Sequence, residues 1–238
     1  KRQVLRQLID ACKGIVGDSR KEDQATAKEV QSERDGWLAQ WRAKLSSSDV
    51  PMTPYRVIWD FMHTIPPEDA IVTHDSGSPR DQIVPFYRSN GPRTYIGWGK
   101  SHGLGTGLGL TIGAKLAAPE KVCVNFMGDA AFGMVGLDFE TAVRSNIPII
   151  TVVLNNSTMA VETRQMADSH GLYGTRDLGG NYADLGKAMG GYAERIEDPN
   201  QISAAFTRAR KVTEEEGKAV LLEFITSEET ELSHRRAF

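Results

Sequence analysis

Residues 121–162 read KVCVNFMGDAAFGMVGLDFETAVRSNIPIITVVLNNSTMAVE. Lys121–Met127 is a short apolar run that stops at Gly128-Asp129. Gly133–Asn146 carries helix-like apolar spacing at Met134, Leu137, Thr141 and Val143, and Asn146-Ile147-Pro148 ends it. Ile149–Leu154 is β-branched and apolar, with Asn155-Asn156 behind it. Strand, crossover helix and second apolar strand make a βαβ unit of a parallel sheet. Ligands of such sheets bind beyond the carboxyl ends of the strands. Asp129 and Asn156 leave two strands at that same edge, and paired strands lie about 4.8 Å apart. A carboxylate and an amide oxygen can therefore converge on one ion.

That pair is hard-oxygen chemistry. Mg2+ takes six oxygens, only a few of them from protein, and fills the rest with phosphate and water. Asp129 and Asn156 would be two ligands, and a backbone carbonyl just past Asn156 a third. The small residues Ala130 and Ala131 would let N–H groups at a helix start approach a phosphate.

GDAAF followed at this distance by NN resembles the magnesium–diphosphate motif of thiamine diphosphate enzymes, usually GDG followed by NN. The surroundings resemble the acetolactate synthase group, which also takes in 2-hydroxyacyl-CoA lyases, oxalyl-CoA decarboxylases and benzaldehyde lyases. The resemblance makes Asp129 and Asn156 side-chain ligands of Mg2+, gives Thr158 the backbone-carbonyl role, and puts Gly128, Ala130 and Ala131 at the cofactor. Ala130 stands where many members carry the second glycine of GDG.

Working outward toward the N-terminus, Gly97–Gly109 is dense in glycine. Glycines inside a free helix cost about 1 kcal/mol each against alanine, so a fold keeps them where backbone must come close to backbone or ligand. The run is no dinucleotide fingerprint: Gly103-x-Gly105-x-x-Leu108 fails at its last position. Aligning Ile112-Gly113-Ala114-Lys115 with the family's helix implies that Leu104 is the bulky apolar residue that bends the thiamine, and that His102 faces the aminopyrimidine. Thr94–Gly97 is a short strand. Ala70–His74 is a buried strand, followed by Asp75-Ser76-Gly77-Ser78-Pro79, a small turn able to offer N–H and hydroxyl donors to an anion. In the resembled family this loop touches the terminal phosphate, which implicates Gly77 and Ser78. Thr53-Pro54 is an N-cap with proline at the first helical position, and Tyr55–Ile65 is the helix.

Toward the C-terminus, Met159 and Val161 are candidates for the substrate side of the cofactor. Gln165–Asn181 has little periodicity and reads as an irregular binding loop or a surface loop. Helix 182–191, strand 192–196, helix 199–216 and strand 219–225 follow. Strands alternating with helices over residues 53–226 predict a doubly wound parallel α/β domain. Residues 1–50 differ: Arg2–Ile15 and Ser19–Leu45 read as helices, the second with Trp37 and Trp41 one turn apart, and Ser46–Asp49 as a linker. The expected organisation is an N-terminal helical extension over 1–50, resembling the end of a central domain plus connector, and a diphosphate-binding domain over 51–238.

The 238 residues are 40% apolar and 25% charged with net charge −3, ordinary globular composition that gives no case for nucleic acid or a membrane surface. No apolar run approaches the length of a membrane span and no targeting segment is recognisable. Cys12 and Cys123 form no disulfide framework, and a cytoplasmic protein is the expectation. Lys1 in place of methionine is read as a sign of a fragment or a processed chain.

The resembled chemistry also needs a glutamate on the pyrimidine ring, which the family carries in a separate pyrimidine-binding domain, usually of the neighbouring subunit. Glu68, Glu140 and Glu162 lack its context, so no catalytic acid or base is named on this chain. The expectation is a thiamine diphosphate- and Mg2+-dependent carboligase or decarboxylase of 2-keto acids, acetolactate synthase-like, working as a dimer or tetramer. The alternatives are a 2-hydroxyacyl-CoA lyase and, in another class, a non-catalytic regulatory protein binding Mg2+ and phosphate.

Overall fold

The structure is a computed structural model describing residues 2–16, 24–97, 103–161 and 165–233. Its contacts divide the chain into two compact units, residues 1–42 and 43–238. In the first, helix α1 (Arg2–Val16) leaves Val4, Leu5, Leu8 and Ile9 exposed. Helix α2 (Gln24–Leu45) begins there, with the rings of Trp37 and Trp41 6.1 Å apart.

The second unit is built on six parallel strands: β1 (Ala70–His74), β2 (Tyr95–Ile96), β3 (Val122–Gly128), β4 (Ile150–Asn155), β5 (Tyr192–Ile196) and β6 (Val220–Ile225). Their spatial order is β2-β1-β3-β4-β6-β5. The central strands are buried on both faces, which explains apolar runs without polar alternation. On one face Ile71, Cys123, Met127, Val153 and Leu221 pack with Leu108 and Phe139. On the other, Phe126 meets Phe61 edge-on and Phe224 stacks on Phe206. This is the doubly wound parallel α/β fold expected from the sequence.

Eight further helices occur in this unit among the described residues: α3 (Pro54–Thr64), α4 (Ser78–Ile83), α5 (Thr106–Ala117), α6 (Asp129–Val135), α7 (Asp138–Arg144), α8 (Ala167–Tyr173), α9 (Tyr182–Ala188) and α10 (Ile202–Glu215). Helix α3 starts as its sequence dictates, with Thr53 Oγ1 accepting from Arg56 N and proline in the first turn.

Three local expectations are corrected. The helix read over 133–146 is two helices that break at Gly136-Leu137, where Gly136 N donates to Phe132 O at 2.6 Å. Met134 and Leu137 are 60% and 74% exposed; the residues that face the core are Phe132, Phe139 and Ala142. The segment 165–181 contains a regular helix, α8. The helix expected over 199–216 opens with a tighter 3-10 turn, Pro199–Gln201, capped by the Asp198 side chain.

Candidate functional site

From β1 the chain turns outward to β2, and from β3 it runs the other way, through β4, toward β6. The order therefore reverses between β1 and β3, and a crevice opens beyond the carboxyl ends of the strands at that point. A cleft of about 290 Å³ lies there, lined by the segments that leave β1 (Ser76–Arg80), β3 (Gly128–Ala131) and β4 (Asn156, Thr158–Val161), and by Thr226 and Ser227 after β6. Leu104 completes a wall.

The two predicted ion ligands meet one turn. Ser157 N donates to Asp129 Oδ2 at 2.7 Å, and the next amide, Thr158 N, donates to Asn156 Oδ1 at 3.0 Å. Thr158 is bridged to Asp177 in antiparallel fashion. The bonds of that bridge belong to its neighbours, Met159 N to Arg176 O and Leu178 N to Ser157 O. Thr158 is thus a non-hydrogen-bonded pair member, and its own N–H and C=O point away from 176–178, toward the side where Asn156 receives the N–H. Thr158, Asn156 and Asp129 all line the cleft, tied together by the Ser157 and Thr158 amides.

Asp129 is 3% exposed. Burial holds its carboxyl above the ordinary 3.8, against the N–H groups of Ala130 and Ser157 that favour the ionised form. A bound cation would reverse that balance. The Ala130 N–H expected to meet a phosphate donates instead to Asp129 Oδ1 at 2.8 Å. Thr158 Oγ1 is buried with no hydrogen-bond partner among the described residues. An all-oxygen donor set with one under-compensated carboxylate and one orphan hydroxyl fits a hard divalent cation and its anionic ligand.

Gly77 takes φ +86, a left-handed conformation open to glycine. A Cβ on Gly77 would sit 3.9 Å from Leu104 Cδ2, and one on Gly128 3.8 Å from Pro79 Cγ. The first loop therefore lies against Leu104 and Gly128, and Gly77, Ser78, Leu104, Gly128, Asp129, Ala130, Ala131, Asn156, Thr158, Met159 and Val161 share the cleft. His102, the remaining cofactor-contact expectation, lies outside the described residues.

Four residues escaped the sequence reading. Asp75 is 1% exposed and accepts from Ser76 N at 2.7 Å, Gly105 N at 2.9 Å and Gly107 N at 2.9 Å. It clips the glycine-rich segment to the end of β1. A Cβ at Gly107 would run into Asn125 Oδ1 and the Asp75 backbone, a reason for glycine there. Arg80 adds a cation to the cleft wall, paired with Asp81 at 2.7 Å. Asn155 and Glu223 are buried partners at 2.7 Å behind the β4 turn. An acidic residue before a Gly-Ser turn, and a lone glutamate inside VLLEFI, were the available signals.

No described helix is long and apolar enough to cross a membrane. Among curated proteins, the chain is 28% identical over 209 residues to a probable acetolactate synthase of Mycobacterium bovis, covering 82% of this chain and 38% of that protein. It is 27% identical to a sulfoacetaldehyde acetyltransferase of Castellaniella defragrans, covering 94% and 40%, and 26% identical to a 2-hydroxyacyl-CoA lyase of Oryza sativa subsp. japonica, covering 86% and 42%. The chain thus spans about two fifths of the length of these relatives. Among solved structures, a thiamine diphosphate-dependent 4-hydroxybenzoylformate decarboxylase of Rhodococcus jostii RHA1 shares the fold with TM-score 0.66 at 22% identity, over 76% of this chain and 34% of that one. Residues 75–224, from the Asp75 clip to the last strand, match the family described as thiamine pyrophosphate enzyme, C-terminal TPP binding domain. The chain belongs to that family, whose members bind thiamine diphosphate with Mg2+.

Proposed function

We propose that this chain supplies the diphosphate- and metal-holding half of the active site of a thiamine diphosphate- and Mg2+-dependent enzyme that forms or cleaves a carbon–carbon bond beside a carbonyl. The observation that carries the reading is the corner in which consecutive amides, Ser157 N and Thr158 N, tie Asp129 and Asn156 to one turn at the strand-order reversal. Asp129, Asn156 and the Thr158 carbonyl would hold Mg2+. Gly77 and Ser78 would meet the terminal phosphate, with Gly128, Ala130 and Ala131 along the diphosphate. Leu104 would support the thiamine, His102 would face its pyrimidine, and Met159 would line the substrate side. The cofactor, when bound, supplies the electron sink; this chain's residues bind it, orient it and wall off water.

The catalytic glutamate is assigned to a pyrimidine-binding domain or subunit, in keeping with a family of multi-domain or oligomeric enzymes. Residues 1–50 are read as the end of a central domain and its connector, 51–238 as the cofactor domain, and the assembly as a cytoplasmic dimer or tetramer. Acetolactate synthase-like carboligation of 2-keto acids is favoured, supported by the Mycobacterium relative. The Oryza relative supports the second reading, cleavage of a 2-hydroxyacyl-CoA. Assays of the longest form of the protein separate them: CO2 from pyruvate marks the first, formyl-CoA from a 2-hydroxyacyl-CoA the second. Activity that survives removal of thiamine diphosphate, or Mg2+ and phosphate binding without turnover, overturns both.

A further inference from the structure

A glutamate stands in the middle of the last strand, where its neighbours are Leu222 and Phe224 and its exposure is 0%. A buried charge is retained at a cost unless it is fully paired, and an apolar residue of similar volume would serve the sheet as well. Three elements converge on Glu223. Asn155 Nδ2 of β4 donates to Oε1 at 2.7 Å, Arg195 of β5 donates to Oε1 at 3.1 Å, and Ala183 N at the start of α9 donates to Oε2 at 2.9 Å. Arg195 faces Glu223 directly across the β5–β6 pair.

The consequence falls on Asn155. A carboxylate only accepts, so the Asn155 NH2 group must face Glu223 and its oxygen must face the other way. That oxygen accepts from Ser157 N at 3.0 Å and from Ser157 Oγ at 3.2 Å. Ser157 is held at φ +58, a left-handed conformation sparsely populated by residues other than glycine. Ser157 stands between Asn156 and Thr158, which both line the cleft. Ser157 N is also the donor to Asp129 Oδ2.

We infer that Glu223 is a positioning residue for the metal-binding turn, acting through the orientation of Asn155 on the left-handed Ser157. The inference rests on the metal-site reading proposed above. In Glu223→Gln, one amide hydrogen pair must confront a donor, from Asn155 and Arg195 or from Ala183. Asn155 can relieve the conflict by flipping, which turns its NH2 toward Ser157 N–H and releases the turn.

The test is Mn2+ titration followed by electron paramagnetic resonance, with thiamine diphosphate present, on the longest form of the protein. Glu223→Gln weakens Mn2+ binding about ten- to a hundredfold, the range for partners that orient metal ligands. Asn155→Ala weakens it to the same degree, and the double variant is no worse than either single. Ser157→Gly, which adopts the left-handed conformation without strain, restores Mn2+ affinity in the Glu223→Gln background. A purely structural glutamate gives additive losses and no rescue. If Glu223→Gln does not fold, Asn155→Ala with and without Ser157→Gly carries the same test. Wild-type Mn2+ affinity in Glu223→Gln or Asn155→Ala, additive losses, or absence of rescue overturns this inference alone; failure of the wild-type protein to bind Mn2+ overturns the metal-site reading beneath it.

Discussion

Two aspartates leave neighbouring parallel strands at the same edge of the sheet. Asp75 follows β1 and Asp129 ends the run of β3, with His74 in register with Phe126. Both are buried, to 1% and 3% exposure. Their surroundings differ. Asp75 collects three backbone N–H groups, two of them from the glycine-rich segment. Asp129 collects the N–H groups of Ala130 and Ser157 while burial holds its carboxyl above the ordinary range. The first carboxylate is used in tying the glycine-rich segment to the end of β1. The second lies on the wall of the cleft, where burial raises its affinity for a proton. At these two strand ends the same residue type ties the glycine-rich segment in place in one case and, on the reading proposed above, faces a ligand in the other.

The strongest way to break this contrast is to remove each carboxylate in turn. Asp75→Ala strands the amides of Gly105 and Gly107, and at the usual cost of buried unsatisfied donors the metal-free protein loses about 3 kcal/mol or more, read by urea unfolding. Asp129→Ala costs less in the metal-free protein, because Ser157 N keeps its bond to Asn155 Oδ1 and only the Ala130 amide is stranded, but it abolishes Mg2+-dependent binding of thiamine diphosphate. Equal stability losses in the two variants would erase the distinction.

Gly107→Ala sharpens the structural side. Its new Cβ meets Asn125 Oδ1 and the Asp75 backbone, and overpacking of this kind costs about 1–3 kcal/mol, again by urea unfolding of the metal-free chain. Gly109→Ala, two residues on, has open space around its Cβ and serves as the control with wild-type stability or better.

The pH dependence of the metal-free protein sharpens the other side. Asp129 holds a proton more tightly when folded than its ordinary 3.8, so the native state binds more protons in that window and stability falls as pH rises through the folded value. His74 runs oppositely: burial lowers its affinity for a proton below the ordinary 6.5, so its contribution is complete above 6.5 and is lost as pH falls. Urea midpoints measured across the acid range should show the Asp129 limb disappear in Asp129→Ala and in saturating Mg2+ with thiamine diphosphate, while the His74 limb persists in both.

The smallest expected effect is at the first loop. Ser78→Ala removes at most one hydroxyl donor to the terminal phosphate, about 1 kcal/mol or several-fold in the dissociation constant for thiamine diphosphate, measured by calorimetry at saturating Mg2+.

What was legible in advance follows from the range of the interactions involved. Strands β1, β3, β4 and β6 announce themselves because residues buried on two faces need uninterrupted apolar runs. Asp129 and Asn156 were visible because each sits at the end of its own strand and parallel pairing brings strand ends together. The division of α6 from α7 was not, because Met134 and Leu137 mimic a helical stripe while the chain turns at Gly136 and buries Phe132 and Phe139 instead. Helix α8 was missed for want of periodicity: none of its residues is buried. The Asp75 clip joins residues 30 and 32 positions apart, and Glu223 reaches Asn155 across 68. Pairings of that kind leave only a charged residue in an apolar context as their trace, and that trace names no partner.

The measurement that bears most directly on the central claim is calorimetric titration of thiamine diphosphate into the longest form of the protein, with Mg2+ and with the metal chelated, for wild type beside Asp129→Ala. The account predicts saturable binding to the wild type that requires Mg2+, and no binding to the folded Asp129→Ala variant under either condition. Binding by Asp129→Ala with wild-type affinity and the same dependence on Mg2+ would contradict it.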